Sequence, residues 1–398
     1  MNLAVIGLQF GDEGKGKIVD YLAEDFDIIA RFCGGSNAGH SVMYEGEKFK
    51  LHLVPSGVLR GKIGVLGNGM VVDLEILQDE VALLKERGIE PRLVISSRAH
   101  IVTSFHKKMD EIEDEIRKIG TTKRGIGPTY ETKMKRIGLR MGELFDIDLI
   151  EKRLRLITKL WGIYDEVEIK KESEKLYTLA QRFRDNIKDT EVWLNRAMDS
   201  GKSVLFEGSQ AVLLDIDFGT YPYVTSSNTG TGGICTGLGI SPWRIDKVIG
   251  VMKPYMTRVG RGPFPTEIFG EDAESLRNIG GEYGATTGRP RRVGWLDLPL
   301  LRYAVMIAGV NEIALTKVDI LKGMKEVPVA WSYECGGSEY LYPPFNIEKC
   351  RPIYRNFEGW NGIDDELRRY MKMIEEATGA KIKIISYGAG REDTMVID

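Results

Sequence analysis

Short apolar runs recur along the chain at 3–8, 28–32, 63–66, 93–96, 204–207, 248–252, 312–317 and 382–386, and each gives way to polar or glycine-rich residues. Runs of four to eight apolar residues bounded by loop chemistry predict buried strands of a parallel sheet. Between them, apolar positions recur at helical spacing. Leu74, Leu77, Val81 and Leu84 form one stripe, with Asp73 as N-cap and Gly88 as stop. A second stripe joins Met109, Ile112, Ile116 and Ile119 before Gly120, and a third joins Leu367, Tyr370, Met371 and Ile374 before Gly379. All three are read as core-facing helix surfaces. Residues 148–200 mix Glu, Lys and Arg with Leu154, Leu160, Leu176, Leu179 and Phe183 and hold little glycine, which predicts a helical excursion. The resulting fold class is α/β: a large, mostly parallel central sheet flanked by helices, over 1–398 as a single domain.

Composition narrows this picture only a little. A hydrophobic fraction of 42% supports a large core, and a net charge of −3 excludes a whole-surface positive field for unspecific nucleic-acid binding. Cys33, Cys235, Cys335 and Cys350 have no C-x-x-C spacing, so neither a zinc knuckle nor a dense disulfide framework is expected and a reducing cytoplasm is the default. The opening apolar run is too short for a signal-peptide core, and no stretch is long enough to span a membrane.

Chemistry concentrates in the loops. The first run opens into Gly7-Leu8-Gln9-Phe10-Gly11-Asp12-Glu13-Gly14-Lys15-Gly16-Lys17 ahead of Ile18, Val19 and Leu22 at helical spacing. Glycines at a helix N-terminus let backbone N–H groups approach phosphate, giving a P-loop-like cradle, although a plain tight turn has the same composition. No hydroxyl follows Lys17, unlike the G-x-x-x-x-G-K-[ST] pattern. Asp12 is the informative residue, because a carboxylate inside a phosphate loop repels the ligand unless it holds a metal or moves a proton. A second small-residue loop, Gly34 to Ser41, carries His40 near its end, and a lone histidine is more often structural than catalytic, so that residue needs independent support. The run at 312–317 leads into Thr316-Lys317-Val318-Asp319, where a carboxylate can accept from N1–H and N2–H₂ of guanine, or simply end a strand. Lys123, Arg124, Lys133, Lys135, Arg136 and Arg140 face a single acid, Glu131, within 121–140, which suits a phosphate clasp or a solvated basic loop. Thr286-Thr287-Gly288-Arg289-Pro290-Arg291-Arg292 suits a small dicarboxylate.

Taken in order, Gly11–Lys17, Asn37-Ala38-Gly39-His40, Gly120-Thr121-Thr122, Phe206-Glu207-Gly208-Ser209-Gln210, the stretch from Thr220 to Asn228, the stretch from Gly262 to Glu267, and Gly284-Ala285-Thr286-Thr287-Gly288-Arg289 resemble the segments of the adenylosuccinate synthetases along nearly the whole chain. The resemblance implies GTP-dependent joining of L-aspartate to IMP through 6-phosphoryl-IMP, the first committed step from IMP to AMP. It also implies a cytoplasmic homodimer needing Mg²⁺.

By the same resemblance, Asp12 is the general base, His40 the acid, and Gln210 a third catalytic group, with Asp12 and the Gly39 carbonyl on the metal. GTP would meet Gly11, Asp12, Glu13, Gly14, Lys15, Gly16, Lys17, Gly39, His40, Ser41, Arg291, Lys317, Val318, Asp319, Ser386, Tyr387 and Gly388. IMP would meet Asp12 to Lys15, Asn37, Ala38, Gly39, His40, Thr122, Gln210, Thr225, Arg289 and an Arg136 donated across the dimer. Aspartate would meet Ala285, Thr286, Thr287, Gly288, Arg289 and Arg291. Ser36, Pro290 and Ala389 depart from the familiar pattern, which has His, Arg and Pro there. Two rival readings are a GTP-hydrolysing switch protein, which would turn over nucleotide without small substrates, and an RNA-binding module built on 121–140.

Overall fold

A computed structural model of the chain describes residues 1–284, 288 and 290–397. Its main sheet has ten strands and is mostly parallel, with helices flanking it. The chain divides into two compact units, each gathered from separate stretches of sequence: Met1–Leu3, Leu22–Ser209 and Thr225–Asp246 in the first, and Ala4–Tyr21, Gln210–Val224 and Lys247–Asp398 in the second.

The first unit holds the strands Val204–Glu207, Ile28–Arg31, Ile63–Leu66, Leu93–Ser96 and Ile187–Lys188, side by side in that order and parallel. Every residue of the first two is buried, as expected of strands covered on both faces. The helices Ile147–Trp161, Glu166–Arg182 and Thr190–Asp199 fill the stretch read as a helical excursion. Asp146 and Asp165 cap the first two, and Ile150, Leu154, Ile169 and Leu176 join the same core as Leu66, Leu77 and Ile95.

One stripe departs from expectation. The helix Ser104–Arg117 turns Phe105, His106 and Asp110 inward, whereas Ile116 is 77% exposed and Ile112 is exposed as well. The stripe through Ile112 and Ile116 is therefore not a core face. Phe105, His106 and Asp110 occupy the helix surface that packs, and Asp110 serves there as the acceptor for Gly125 N–H at 2.8 Å.

The second unit holds Thr394–Val396, Lys381–Ser386, Glu312–Leu315, Lys247–Met252 and, from Ala4 onward, the strand Asn2–Gly7, in that order; Lys381–Ser386, Glu312–Leu315 and Lys247–Met252 run parallel, and Thr394–Val396 runs antiparallel to Lys381–Ser386. The strand predicted to reach Lys317 stops at Leu315, since Thr316 Oγ1 donates to the Glu13 carbonyl at 2.5 Å and Lys317 takes a left-handed conformation, φ 56°. A second sheet, absent from the sequence reading, joins Tyr255–Arg258, Arg292–Asp297, Glu326–Cys335, Ser338–Tyr340 and Arg351–Glu358. It also explains a correction. Glu334 and Arg351 are cross-strand partners, so the next residue outward on each strand is a cysteine, and Cys335 and Cys350 form a disulfide that sequence spacing alone did not suggest.

Candidate active site

The second unit supplies a phosphate loop. The strand Asn2–Gly7 ends at Gly7, where a Cβ would lie 2.6 Å from Glu13 Oε2 and 2.7 Å from Lys15 Nζ, so only glycine fits. The chain then reverses through Gly11, Asp12 and Gly14, all at positive φ, and enters the helix Lys15–Leu22. Glu13 organises the turn from inside. Fully buried, it accepts from Gln9 N–H at 3.1 Å and Gly11 N–H at 2.9 Å and pairs with Lys15. Gln9 in turn donates to the carbonyls of Lys253 and Tyr255.

Asp12 is held in the left-handed region at φ 59°, which costs a non-glycine residue about 1–2 kcal/mol. Its carboxylate is about one-third exposed and lies 2.9 Å from Arg291 Nε. Lys17 does not simply face the loop: its amino group donates to Ser386 Oγ at 2.7 Å and Gly388 C=O at 2.8 Å, joining two segments that the sequence reading assigned to GTP. Burial lowers its pKa, opposed by the charges of Asp393 and Asp319. Beside it, Asp319 keeps Oδ1 buried with no hydrogen-bond partner among the described residues. An unpartnered buried acceptor at this point suits a ligand donor such as the N1–H of guanine. Gln210 repeats the pattern, at φ 54° with Oε1 buried and without a hydrogen-bond partner among the described residues.

The first unit supplies a histidine. His40 opens the strand His40–Tyr44, and its Nδ1 bonds Glu207, the last residue of Val204–Glu207. Glu207 is fully buried and accepts in addition from Ser56 N–H at 2.9 Å and Ser56 Oγ–H at 3.1 Å. Burial alone would raise its pKa, but the charges of His40 and Arg31 and the Ser56 N–H hold it below the ordinary value. Glu207 is the partner that this geometry gives His40, and sequence reasoning assigned it no role. Its only sequence signal is a carboxylate at the end of an apolar run. Elsewhere in this unit, Asn37 caps its own loop by accepting from Gly35 N–H at 3.2 Å, Gly39 and Ser41 are exposed, and His52 Nδ1 meets the Ala38 carbonyl at 2.5 Å. Thr122 is exposed and Thr225 half-buried. Arg136 stands exposed at φ 64°, just past the helix Ile126–Met134, where glycine is the usual residue.

The structure thus gathers Asp12–Lys17, Gln210, Arg291, Lys317–Asp319 and Ser386–Gly388 in one unit and Asn37–Ser41, Thr122, Arg136 and Thr225 in the other. The predicted positions Ala285, Thr286, Thr287 and Arg289 lie outside the described residues. Among the described residues no cluster of three or more His, Cys, Asp or Glu is arranged to hold a metal, and no helix is long and apolar enough to cross a membrane.

Comparison with known proteins places the chain in one family. The sequence profile of adenylosuccinate synthetase matches residues 4–395. The chain is 46% identical to the adenylosuccinate synthetase of Thermoplasma volcanium, covering 99% of this chain and 97% of the relative. It is 43% identical to that of Lactococcus lactis subsp. cremoris, covering 100% and 98%. Among solved structures, fully ligated adenylosuccinate synthetase from Plasmodium falciparum superimposes with a TM-score of 0.94 at 39% identity, covering 100% of both chains. A cyanophage S-2L succinoaminodeoxyadenylate synthetase, at 20% identity and a TM-score of 0.67, shares the fold, covering 99% of this chain and 95% of that one. This chain belongs to the adenylosuccinate synthetase family, the GTP-dependent ligases that join L-aspartate to IMP.

Proposed function

We propose that the ligation runs through 6-phosphoryl-IMP and that the two groups of residues described above divide its steps. Asp12 accepts the N1 proton of IMP, which turns O6 into a nucleophile toward the γ-phosphorus of GTP, and GDP leaves. The left-handed Asp12 of the phosphate loop is the observation that carries this reading, since a carboxylate in that position is otherwise repelled by the nucleotide. His40, with Nδ1 on Glu207, presents its ring as an acid to the oxygen being phosphorylated, and the carboxylate favours the imidazolium form. The amino group of aspartate then attacks C6, phosphate departs with the C6–O6 bond, and the amine loses its proton. Gln210 and Asn37, Thr122, Thr225 and Arg289 would hold IMP, with Arg136 of the partner subunit completing a homodimer. Lys317, Asp319 and Ser386–Gly388 would hold guanine, and the 285–291 segment would hold aspartate.

Mg²⁺ fits the residues present. Asp12 is a partly exposed hard-oxygen donor already matched to a cation, Arg291, at 2.9 Å, and a magnesium site needs one or two such donors beside substrate phosphates. Asp12 and the Gly39 carbonyl would hold it, and it would supply neutralisation of phosphate charge. The chain's weaving between its two units supports treating 1–398 as one domain, and the family's reaction is cytoplasmic.

The test is adenylosuccinate formation with GTP, IMP, L-aspartate and Mg²⁺, with each omitted in turn and ATP replacing GTP. Product that requires all four and fails with ATP is expected. GTP hydrolysis independent of IMP and aspartate would overturn the reading.

A further inference from the structure

The helix Ile126–Met134 of the first unit buries Ile126, Pro128, Thr129, Tyr130 and Thr132, so hydroxyls make up much of the face that packs. A face of this kind is located by directed hydrogen bonds more than by apolar area, and such bonds fix position as well as adding stability. Thr132 Oγ1 meets His106 Nε2 at 3.1 Å on the helix Ser104–Arg117. From that same helix Asp114 Oδ1 accepts from Gly120 N–H at 2.7 Å and Thr121 N–H at 3.1 Å, which fixes the backbone leading into Thr122.

Tyr130 faces the opposite way, toward the sheet. Its Oη accepts from Gly34 N–H at 3.0 Å and donates to the Gly69 carbonyl at 2.7 Å. Gly34 and Gly69 lie just beyond the carboxyl ends of the neighbouring parallel strands Ile28–Arg31 and Ile63–Leu66, the rim at which open α/β sheets bind ligands. Burial raises the phenol pKa, so the hydroxyl keeps the proton it donates. The turn it holds has little freedom: Gly34 sits at φ 76°, and a Cβ on Gly35 would lie 2.6 Å from the Val71 carbonyl. The next amide, Gly35 N–H, is taken by Asn37 Oδ1 at 3.2 Å. Consecutive amides of one turn are thus met by two side chains, and moving the first moves the carboxamide that meets the second.

We propose that Tyr130 is a positioning residue for IMP: its hydroxyl fixes the turn that aims Asn37 and holds the helix after Thr122 against that turn, so that these two IMP contacts keep one spacing. This rests on the reading of Asn37 and Thr122 as IMP residues. His40 is held separately, by Glu207 with Ser56, and Asp12 belongs to the other unit, so the chemical step should survive the loss of the phenol.

Tyr130→Phe tests it, because the ring stays in its cluster with Val71, Val102 and Ile126 and one oxygen leaves. The variant should keep the wild-type circular-dichroism spectrum. With GTP and aspartate saturating, the KM for IMP should rise about tenfold or more while kcat stays within about threefold. In an Asn37→Ala background the same substitution should raise the IMP KM by less than about threefold, since the group it positions is gone. Thr132→Val loosens the same helix at His106 and leaves the Gly34 contact intact, and should move the IMP KM by less than about threefold. An unchanged IMP KM in Tyr130→Phe, a fall in kcat as large as the rise in KM, fully multiplicative effects with Asn37→Ala, or an equal rise in Thr132→Val would overturn the proposal. Wild-type enzyme assayed alongside separates the two levels: a wild type without product removes the functional reading and the proposal with it, whereas an active wild type with an unaffected Tyr130→Phe removes the proposal alone.

Discussion

Glu207 and Glu282 are both fully buried carboxylates held below their ordinary pKa, but they serve different partners. Glu207 faces one titratable ring, His40, with the Ser56 backbone and hydroxyl filling its remaining acceptor sites. Glu282 faces Lys253, Lys317 and Arg291. A carboxylate on a histidine sets which proton the ring can give and at what pH. A carboxylate among amines and a guanidinium sets only where those groups stand. The first should govern turnover and its pH dependence, and the second should hold its own cations in place.

The largest effect that sharpens this contrast belongs to neither. Asp12→Asn removes the proposed base and should lower kcat by about 10³-fold or more while thermal unfolding stays close to wild type. Retention of near-normal kcat would break the proton-transfer half of the account. Next comes Glu207→Gln, expected to lower kcat by about 10²-fold. Because a negative neighbour favours imidazolium, its loss should also move the alkaline fall of kcat to lower pH. A uniform loss with an unmoved profile would reduce Glu207 to scaffolding and erase the contrast with Glu282. Asp319→Asn should lower kcat/KM for GTP by about tenfold or more, since Asn presents only one acceptor where guanine offers two donors. An unchanged GTP preference would detach Asp319 from the base.

Two predictions concern stability and leave kcat unmoved. Cys335→Ser opens a loop closed over a separation of 15 residues and should reduce unfolding free energy by about 3 kcal/mol, read from denaturant midpoints. Equal midpoints would show that strand pairing alone holds Glu326–Cys335 to Arg351–Glu358. Asp297 caps the helix Leu298–Ala308 and bonds Tyr333, and burial pushes its carboxyl up to about 7. Its folded pKa exceeds the ordinary 3.8, so the folded state binds the extra proton and stability should fall as pH rises between about 4 and 7. Asp297→Asn should flatten that slope, and a slope identical to wild type would place the titration elsewhere.

Much of the sheet was legible in the sequence because buried parallel strands are written as apolar runs, and the strands at 63–66, 93–96 and 204–207 fall where the runs fall. The Tyr255–Arg258 to Arg351–Glu358 sheet was not, because Arg351–Glu358 is largely exposed and lacks such a run, and with it went the Cys335–Cys350 pairing. Among the candidate site residues, Asp12 and His40 were singled out from the loops that hold them. Glu207, Ser56, Lys253 and Glu282 were not, since nothing in a sequence marks a carboxylate whose partners stand 151 or 29 residues away. The stripe through Ile112 and Ile116 failed for a related reason: periodicity identifies a face but not whether another element covers it.

The central claim is that Asp12 makes O6 of IMP attack GTP before aspartate enters. Its most direct test is positional isotope exchange in GTP carrying heavy oxygen on the β-phosphate's nonbridging positions, incubated with enzyme, Mg²⁺ and IMP but no aspartate. Reversible transfer to O6 frees the β-phosphate to rotate, so label should move into the βγ bridge when IMP is present, and should not move with Asp12→Asn. Adenylosuccinate synthesis by wild-type enzyme without any IMP-dependent movement of label, or label movement undiminished in Asp12→Asn, would contradict the account.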